Sequence, residues 1–202
     1  MIYLLNGIND SIATTTGALV APLRAMGHDV QHLMRPTSRV WSSRSKRYLE
    51  TTAKRLIYQM SFNDTPRMIV AHSQGCLQAW MMMQLHGALN PGRALFDRIY
   101  MIDPAMNRGG WDWEQLEFEK MKIIYNPDDL AIWAGALLPF HRFGLAGAQG
   151  FRTNDKRIVQ RPDSMGKDGF LGHNHYFRDD HVMETARDIA DWWTTIFNQT
   201  KG

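Results

Sequence analysis

The chain has 202 residues, 44% hydrophobic and 21% charged, with a formal net charge of +3, enough for one α/β domain with a substantial core and too short for two comfortable ones. Basic and acidic residues are interspersed without a Lys/Arg block, which argues against a nucleic-acid partner, and no apolar run approaches the length that would insert stably in a membrane. A single cysteine, Cys76, rules out internal disulfides and favours a reducing, cytoplasmic setting; the start, Met1 to Gly7, lacks a basic n-region and a cleavage site and reads as a strand instead of a signal peptide.

In chain order the pattern is βαβα. Residues 2–6 form a short apolar strand, after which Asp10 or Ser11 can cap a helix running through Leu19 to Met26, where Gly27 ends it. Asp29 to Met34 read as a second strand. Residues 45–60 carry Tyr48, Leu49, Ala53, Leu56, Ile57 and Met60 at helical spacing. The strand at 67–71 precedes a helix at 74–87, whose Trp80-Met81-Met82-Met83 run is apolar on all sides, as a helix packed on a sheet centre requires. Strands at 97–102, 120–125 and 156–160 follow, and a closing helix at 180–197 places Val182, Ala186, Ile189, Ala190, Trp193 and Phe197 on one side. Residues 133–170 form the one irregular stretch, rich in Gly, Phe and Trp, which predicts a lid-like or binding insertion in an otherwise single domain spanning 1–202. The alternation predicts a mainly parallel sheet covered by helices on both faces, with ligands at the carboxyl ends of the strands.

At one such end stands Arg67-Met68-Ile69-Val70-Ala71-His72-Ser73-Gln74-Gly75. An apolar strand, small-x-Ser-x-Gly and then a helix is the context of a nucleophile elbow. The turn there is sharp enough to strain the serine backbone, and small residues two before and two after avoid clashes. The geometry pushes Ser73 Oγ out of the sheet and leaves the Gln74 N–H free to hold an oxyanion. After the first strand, Asn6-Gly7-Ile8-Asn9 allows close backbone approach, so that Ile8 N–H would join Gln74 N–H in an oxyanion hole; the same residues also suit a tight turn into a capped helix.

A serine at neutral pH needs a general base, and the base an orienting acid, in the chain order Ser, acid, His. Asp103, in Ile102-Asp103-Pro104-Ala105, ends the strand after the elbow; Asp128 and Asp129, in Asn126-Pro127-Asp128-Asp129-Leu130, end the next. Asp129 is the favoured acid, with Asp128 and Asp103 as alternatives. In Gly172-His173-Asn174-His175-Tyr176-Phe177, just before the last helix, His173 is the favoured base and His175 the second choice. His72 abuts the serine, but an elbow directs its side chain away from Oγ.

With these segments together, the chain resembles a small member of the α/β-hydrolase family, in the lipase, esterase and cutinase-like range. The resemblance runs from residue 2 to about 197 and rests on Ala-His-Ser-Gln-Gly, the Asn-Gly-Ile loop, Asn-Pro-Asp-Asp and Gly-His-Asn-His-Tyr-Phe. It implies a minimal form of that fold lacking the two leading edge strands, with Ser73 as nucleophile, His173 as base and Asp129 as orienting acid. The implied reaction cleaves a carboxylic ester, from a small-molecule or lipid-like substrate, through an acyl-enzyme without cofactor or metal. Ala71 stands where glycine is usual, and Ile-Asp-Pro-Ala resembles the acid turn of the pancreatic-lipase branch, which keeps Asp103 in contention. The aromatic residues at 111, 113, 133, 140, 143 and 151 would suit an apolar acyl or aryl group.

Three rivals share the sequence. A metallohydrolase is suggested by His173-x-His175 with Asp179, Asp180 and His181, although the acid stands too far along for the usual His-x-His-x-Asp-His spacing. A hydrolase fold can also serve as a non-catalytic binding module. A thioesterase or amidase would use the same three side chains.

Overall fold

A computed structural model describes residues 1–7, 15–34, 45–60, 66–137, 144–163, 169–178 and 181–199. Its centre is one six-stranded sheet: β1 (Ile2–Leu5), β2 (Val30–His32), β3 (Met68–His72), β4 (Arg98–Ile102), β5 (Lys120–Tyr125) and β6 (Ile158–Pro162). The spatial order is β2-β1-β3-β4-β5-β6, and every neighbouring pair is parallel. Every residue of β1, β3 and β4 is buried, as strands covered on both faces must be, and that is why they read as largely apolar runs, broken only by His72 at the end of β3 and Arg98 at the start of β4. β6 lies at one edge with Pro162 closing it and Val159 exposed, a position where a missing N–H costs no ladder bond. The expected Asp29–Met34 strand shortens to β2 at the opposite edge.

Alternate side chains send the strands' apolar residues to two separate layers. On one face Tyr3, Leu5, Ile69, Ala71, Ile99 and Met101 pack against α2 (Lys46–Gln59) and α3 (Gln74–Leu89). On the other, Ile2, Leu4, Met68, Val70, Tyr100 and Ile102 meet Leu23 of α1 (Val20–Ala25) and Ala186, Ile189 and Trp193 of α6 (Val182–Gln199). Ser45 caps α2 by accepting the Tyr48 N–H at 3.2 Å. The helix expected from Asp10 or Ser11 has its start outside the described residues; from Thr16 it runs as a 3₁₀ turn, Thr16–Leu19, into α1.

The stretch 133–170, irregular in sequence, holds the end of α4 (Leu130–Leu137), the short α5 (Ala146–Gln149), β6 and the start of a 3₁₀ segment, Gly169–Phe177. Residues 138–143 and 164–168 of it lie outside the described residues.

Candidate active site

The site is built on the carboxyl ends of three neighbouring strands. Ser73 follows β3 at φ 53 and ψ −124, a conformation that residues with a Cβ rarely adopt. Its N–H donates to Ile102 O at 2.9 Å, and its carbonyl accepts from Ala105 N at 3.1 Å and from Cys76 N at 3.1 Å, so both sides of the turn are held. Gly75 shows why the motif ends in glycine: a Cβ there would lie 2.6 Å from both Leu5 O and Asn6 O. The first turn of α3 therefore rests directly on the end of β1. Gln74, fully buried, opens α3, so its N–H stands in the first turn, where the helix itself supplies no i−4 carbonyl. The second expected oxyanion donor, Ile8, lies outside the described residues.

His173 comes from the 3₁₀ segment, and its Nδ1 meets Asp129 Oδ2 at 2.6 Å, a short charge-assisted distance. Asp129 is fully buried while His173 keeps part of its ring open to solvent. The other carboxylate oxygen, Oδ1, accepts the Ile132 N–H at 3.0 Å at the start of α4. The turn leading to Asp129 is fixed by Asn126, whose Oδ1 accepts Asp128 N–H at 3.0 Å and whose carbonyl accepts Asp129 N–H at 3.1 Å. A carboxylate pinned at one oxygen and facing a histidine Nδ1 with the other fixes the ring's orientation and leaves Nε2 for proton transfer.

Of the alternatives in the sequence, Asp128 is exposed. His175 is buried with its ring 3.8 Å from Tyr176, and lines a separate cavity with Tyr100, Asp163, Tyr176 and His181. Asp103 is fully buried at φ 42, and its Oδ1 accepts Asn126 N–H at 3.0 Å. Burial first, and the nearby Asp129 charge second, hold its carboxyl well above the ordinary range.

His72 is the residue that sequence reasoning left aside. It points from β3 to the face away from α3, as the elbow predicts, and there it meets the candidate base. Its Nε2 lies 3.0 Å from His173 O, the two rings are 4.6 Å apart, and Phe177 closes edge-on at 4.9 Å. The two-residue period of the strand gave the direction of the side chain; the position of the 3₁₀ segment above it had no local signal.

Two of the aromatic residues expected to line an acyl pocket belong to the core. Trp113 and Phe151 are buried together with ring centroids 5.3 Å apart, and Trp111 leans on Trp80 at 4.9 Å. Large rings stabilise most where they displace most water, so core burial takes precedence. Phe140 and Phe143 lie outside the described residues.

Among the described residues, one group of potential metal ligands converges: a ring nitrogen each of His72 and His173 and a carboxyl oxygen of Asp103, all within 4.8 Å of one another. It is not the His173, His175 and His181 set that the metallohydrolase reading used; Asp179 and Asp180 of that set lie outside the described residues.

No family model matches the chain, and no curated protein matches it in sequence. Solved structures do resemble it. A YdeN-like hydrolase from Pectobacterium atrosepticum superposes with a TM-score of 0.52 at 16% identity, covering 95% of this chain and 89% of that one. A hydrolase of the alpha/beta superfamily from Xanthomonas campestris gives 0.51 at 14% identity over 96% of this chain and 98% of that one. The NocB thioesterase domain, in covalent complex with a fluorophosphonate nocardicin G analog, gives 0.50 at 14% identity over 94% and 92%. The parallel sheet, its helical layers and these neighbours define an α/β-hydrolase fold. No helix among the described residues is long and apolar enough to cross a membrane.

Proposed function

We propose that the chain is a serine hydrolase that cleaves a carboxylic ester through Ser73, His173 and Asp129. The observation that carries this reading is the 2.6 Å pairing of His173 Nδ1 with the buried Asp129 carboxylate, in a fold that sets a serine on a strained elbow at the end of β3. His173 Nε2 takes the Ser73 proton as Oγ attacks the ester carbonyl. The tetrahedral oxyanion is held by the Gln74 N–H and, on this reading, by the Ile8 N–H. The imidazolium, stabilised by Asp129, then protonates the leaving alcohol, and water repeats the sequence on the acyl-enzyme. No cofactor enters these steps. The substrate class is a small-molecule or lipid-like ester, and the single, buried Cys76 fits a reducing, cytoplasmic location.

The same three side chains would serve a thioesterase or amidase, a reading that the NocB thioesterase neighbour favours at the level of fold. The test is intact mass after incubation with a fluorophosphonate, wild type against Ser73→Ala, followed by rates on esters and thioesters of graded chain length. A single adduct that vanishes in the variant supports the nucleophile. Absence of an adduct on folded wild type would move the non-catalytic binding module ahead. Loss of activity to a chelator would favour metal chemistry instead.

A further inference from the structure

Asp103 has no role in the mechanism above, yet it carries three marks of a residue held in place against its own preferences. Its backbone stands at φ 42, and Gly147 of α5 packs on it so closely that a Cβ there would lie 2.8 Å from Asp103 C. Its carboxyl is fully buried, with no hydrogen-bond partner at Oδ2, an arrangement that costs the full desolvation of a polar atom. Oδ1 does have a partner, and it is the Asn126 N–H at 3.0 Å, at the head of the turn that delivers Asp129. One carboxyl oxygen also lies within 4.8 Å of a ring nitrogen of His72 and one of His173. Two acids, from the ends of adjacent strands, thus stand near one imidazole, Asp129 bonded to it and Asp103 within 4.8 Å.

We propose that Asp103 is a positioning residue of the proposed triad: its Oδ1 fixes the turn that carries Asp129, and its carboxyl stands as a second acid that stabilises the His173 imidazolium when the Asp129 charge is removed. The inference rests on the serine-hydrolase reading. The groups facing Asp103 are Asp129 from the acid turn, Asp163 from the end of β6, Tyr176 and His173 from the 3₁₀ segment, His72 from β3 and Cys76 from α3. Burial first, and the Asp129 charge second, raise the Asp103 carboxyl. Neutralising Asp129 removes the second of these causes, so Asp103 releases its proton to water at lower pH than in the wild type and the imidazolium gains an anionic neighbour.

The experiment is a double-mutant cycle on the full chain, with p-nitrophenyl acetate hydrolysis and fluorophosphonate labelling read across pH for wild type, Asp103→Asn, Asp129→Asn and the double variant. Asparagine tolerates the left-handed backbone; Asp103→Gly, equally suited to that φ, repeats the cycle if the asparagine variant does not fold. Asp103→Asn is expected to cost about threefold in the wild-type background and tenfold or more in Asp129→Asn, the coupling expected when one acid substitutes for the other. In addition, kcat/KM of Asp129→Asn should rise with pH through a titration missing from the double variant. Equal costs in both backgrounds, or parallel pH profiles, would reduce Asp103 to packing and overturn the proposal. Near-wild-type Asp129→Asn beside a dead Asp103→Asn would overturn it too, by making Asp103 the principal acid. A wild type that neither turns over nor labels at Ser73 would remove the triad reading itself, an outcome separate from additive costs in a labelled enzyme.

Discussion

The backbone at Ser73 offers a test of the elbow that does not depend on finding a substrate. At φ 53 and ψ −124 the residue occupies a region natural to glycine, and holding a Cβ there costs about 1–3 kcal/mol. Ser73→Gly releases that strain but loses about 0.5–1 kcal/mol through the greater freedom of glycine in the unfolded chain. Ser73→Ala removes the same hydroxyl and keeps the strain. The difference between the two variants isolates the backbone and should favour glycine by up to about 2.5 kcal/mol, equivalent to as much as about 10 °C in Tm for a chain of this size. Thermal and urea unfolding of the pair measure it, and neither variant should label with a fluorophosphonate. At an ordinary strand end the sign reverses, alanine being the more stable. A glycine variant that melts below the alanine variant would refute the claim that the structure strains Ser73.

The other expectations are briefer. Gly75→Ala drives a Cβ to 2.6 Å from two backbone carbonyls of the β1 end, so it should destabilise by about 1–3 kcal/mol and slow Ser73 labelling by moving the Gln74 N–H; unchanged urea midpoints would count against the close approach. Asp129→Asn should lower kcat/KM by about 10²–10⁴ with folding intact, and a loss below tenfold would move the orienting role away from Asp129. Asp103 titrates above its ordinary range because of burial and then the Asp129 charge, so the stability it contributes is present below the unfolded carboxyl pKa of about 4 and declines as pH rises toward the folded value. Asp103→Asn cannot ionise in either state and should gain on wild type between pH 4 and 7; parallel stability curves would show that the carboxyl is not perturbed.

What was legible in the sequence was whatever a single element decides. β1, β3 and β4 are buried throughout and largely apolar, with His72 ending β3 and Arg98 opening β4, because both faces are covered, and the elbow declares itself because only small residues fit where α3 rests on Leu5 and Asn6. Chain order left Asp103, Asp128 and Asp129 open as acids and His173 and His175 open as bases; the contact between His173 and Asp129 is visible only in the folded chain. The contents of 133–170 were harder: α4 reads Leu-Ala-Ile-Trp-Ala-Gly-Ala-Leu, apolar without a helical stripe, so periodicity had nothing to detect. Trp113 and Phe151 pack on each other across distant segments, and no local pattern separates a ring that lines a pocket from one that fills a core.

The same distinction explains where the site is rigid and where it depends on tertiary packing. Ser73, Asp103 and the turn before Asp129 follow β3, β4 and β5, which are hydrogen-bonded neighbours, so the sheet sets their spacing at about 4.8 Å per strand. The proposed base alone arrives from outside, on a 3₁₀ segment whose hydrogen bonds are weaker than those of an α-helix. Its position therefore relies on side chains reaching it from the sheet: Asp129 on the ring, His72 Nε2 at the His173 carbonyl 3.0 Å away, and the His72 ring wedged between His173 and Phe177. His72 sits immediately before the nucleophile, so one strand end fixes the serine on one face and steadies the base on the other. Displacing β3 would shift both together, which preserves their relation better than a loop-borne support could.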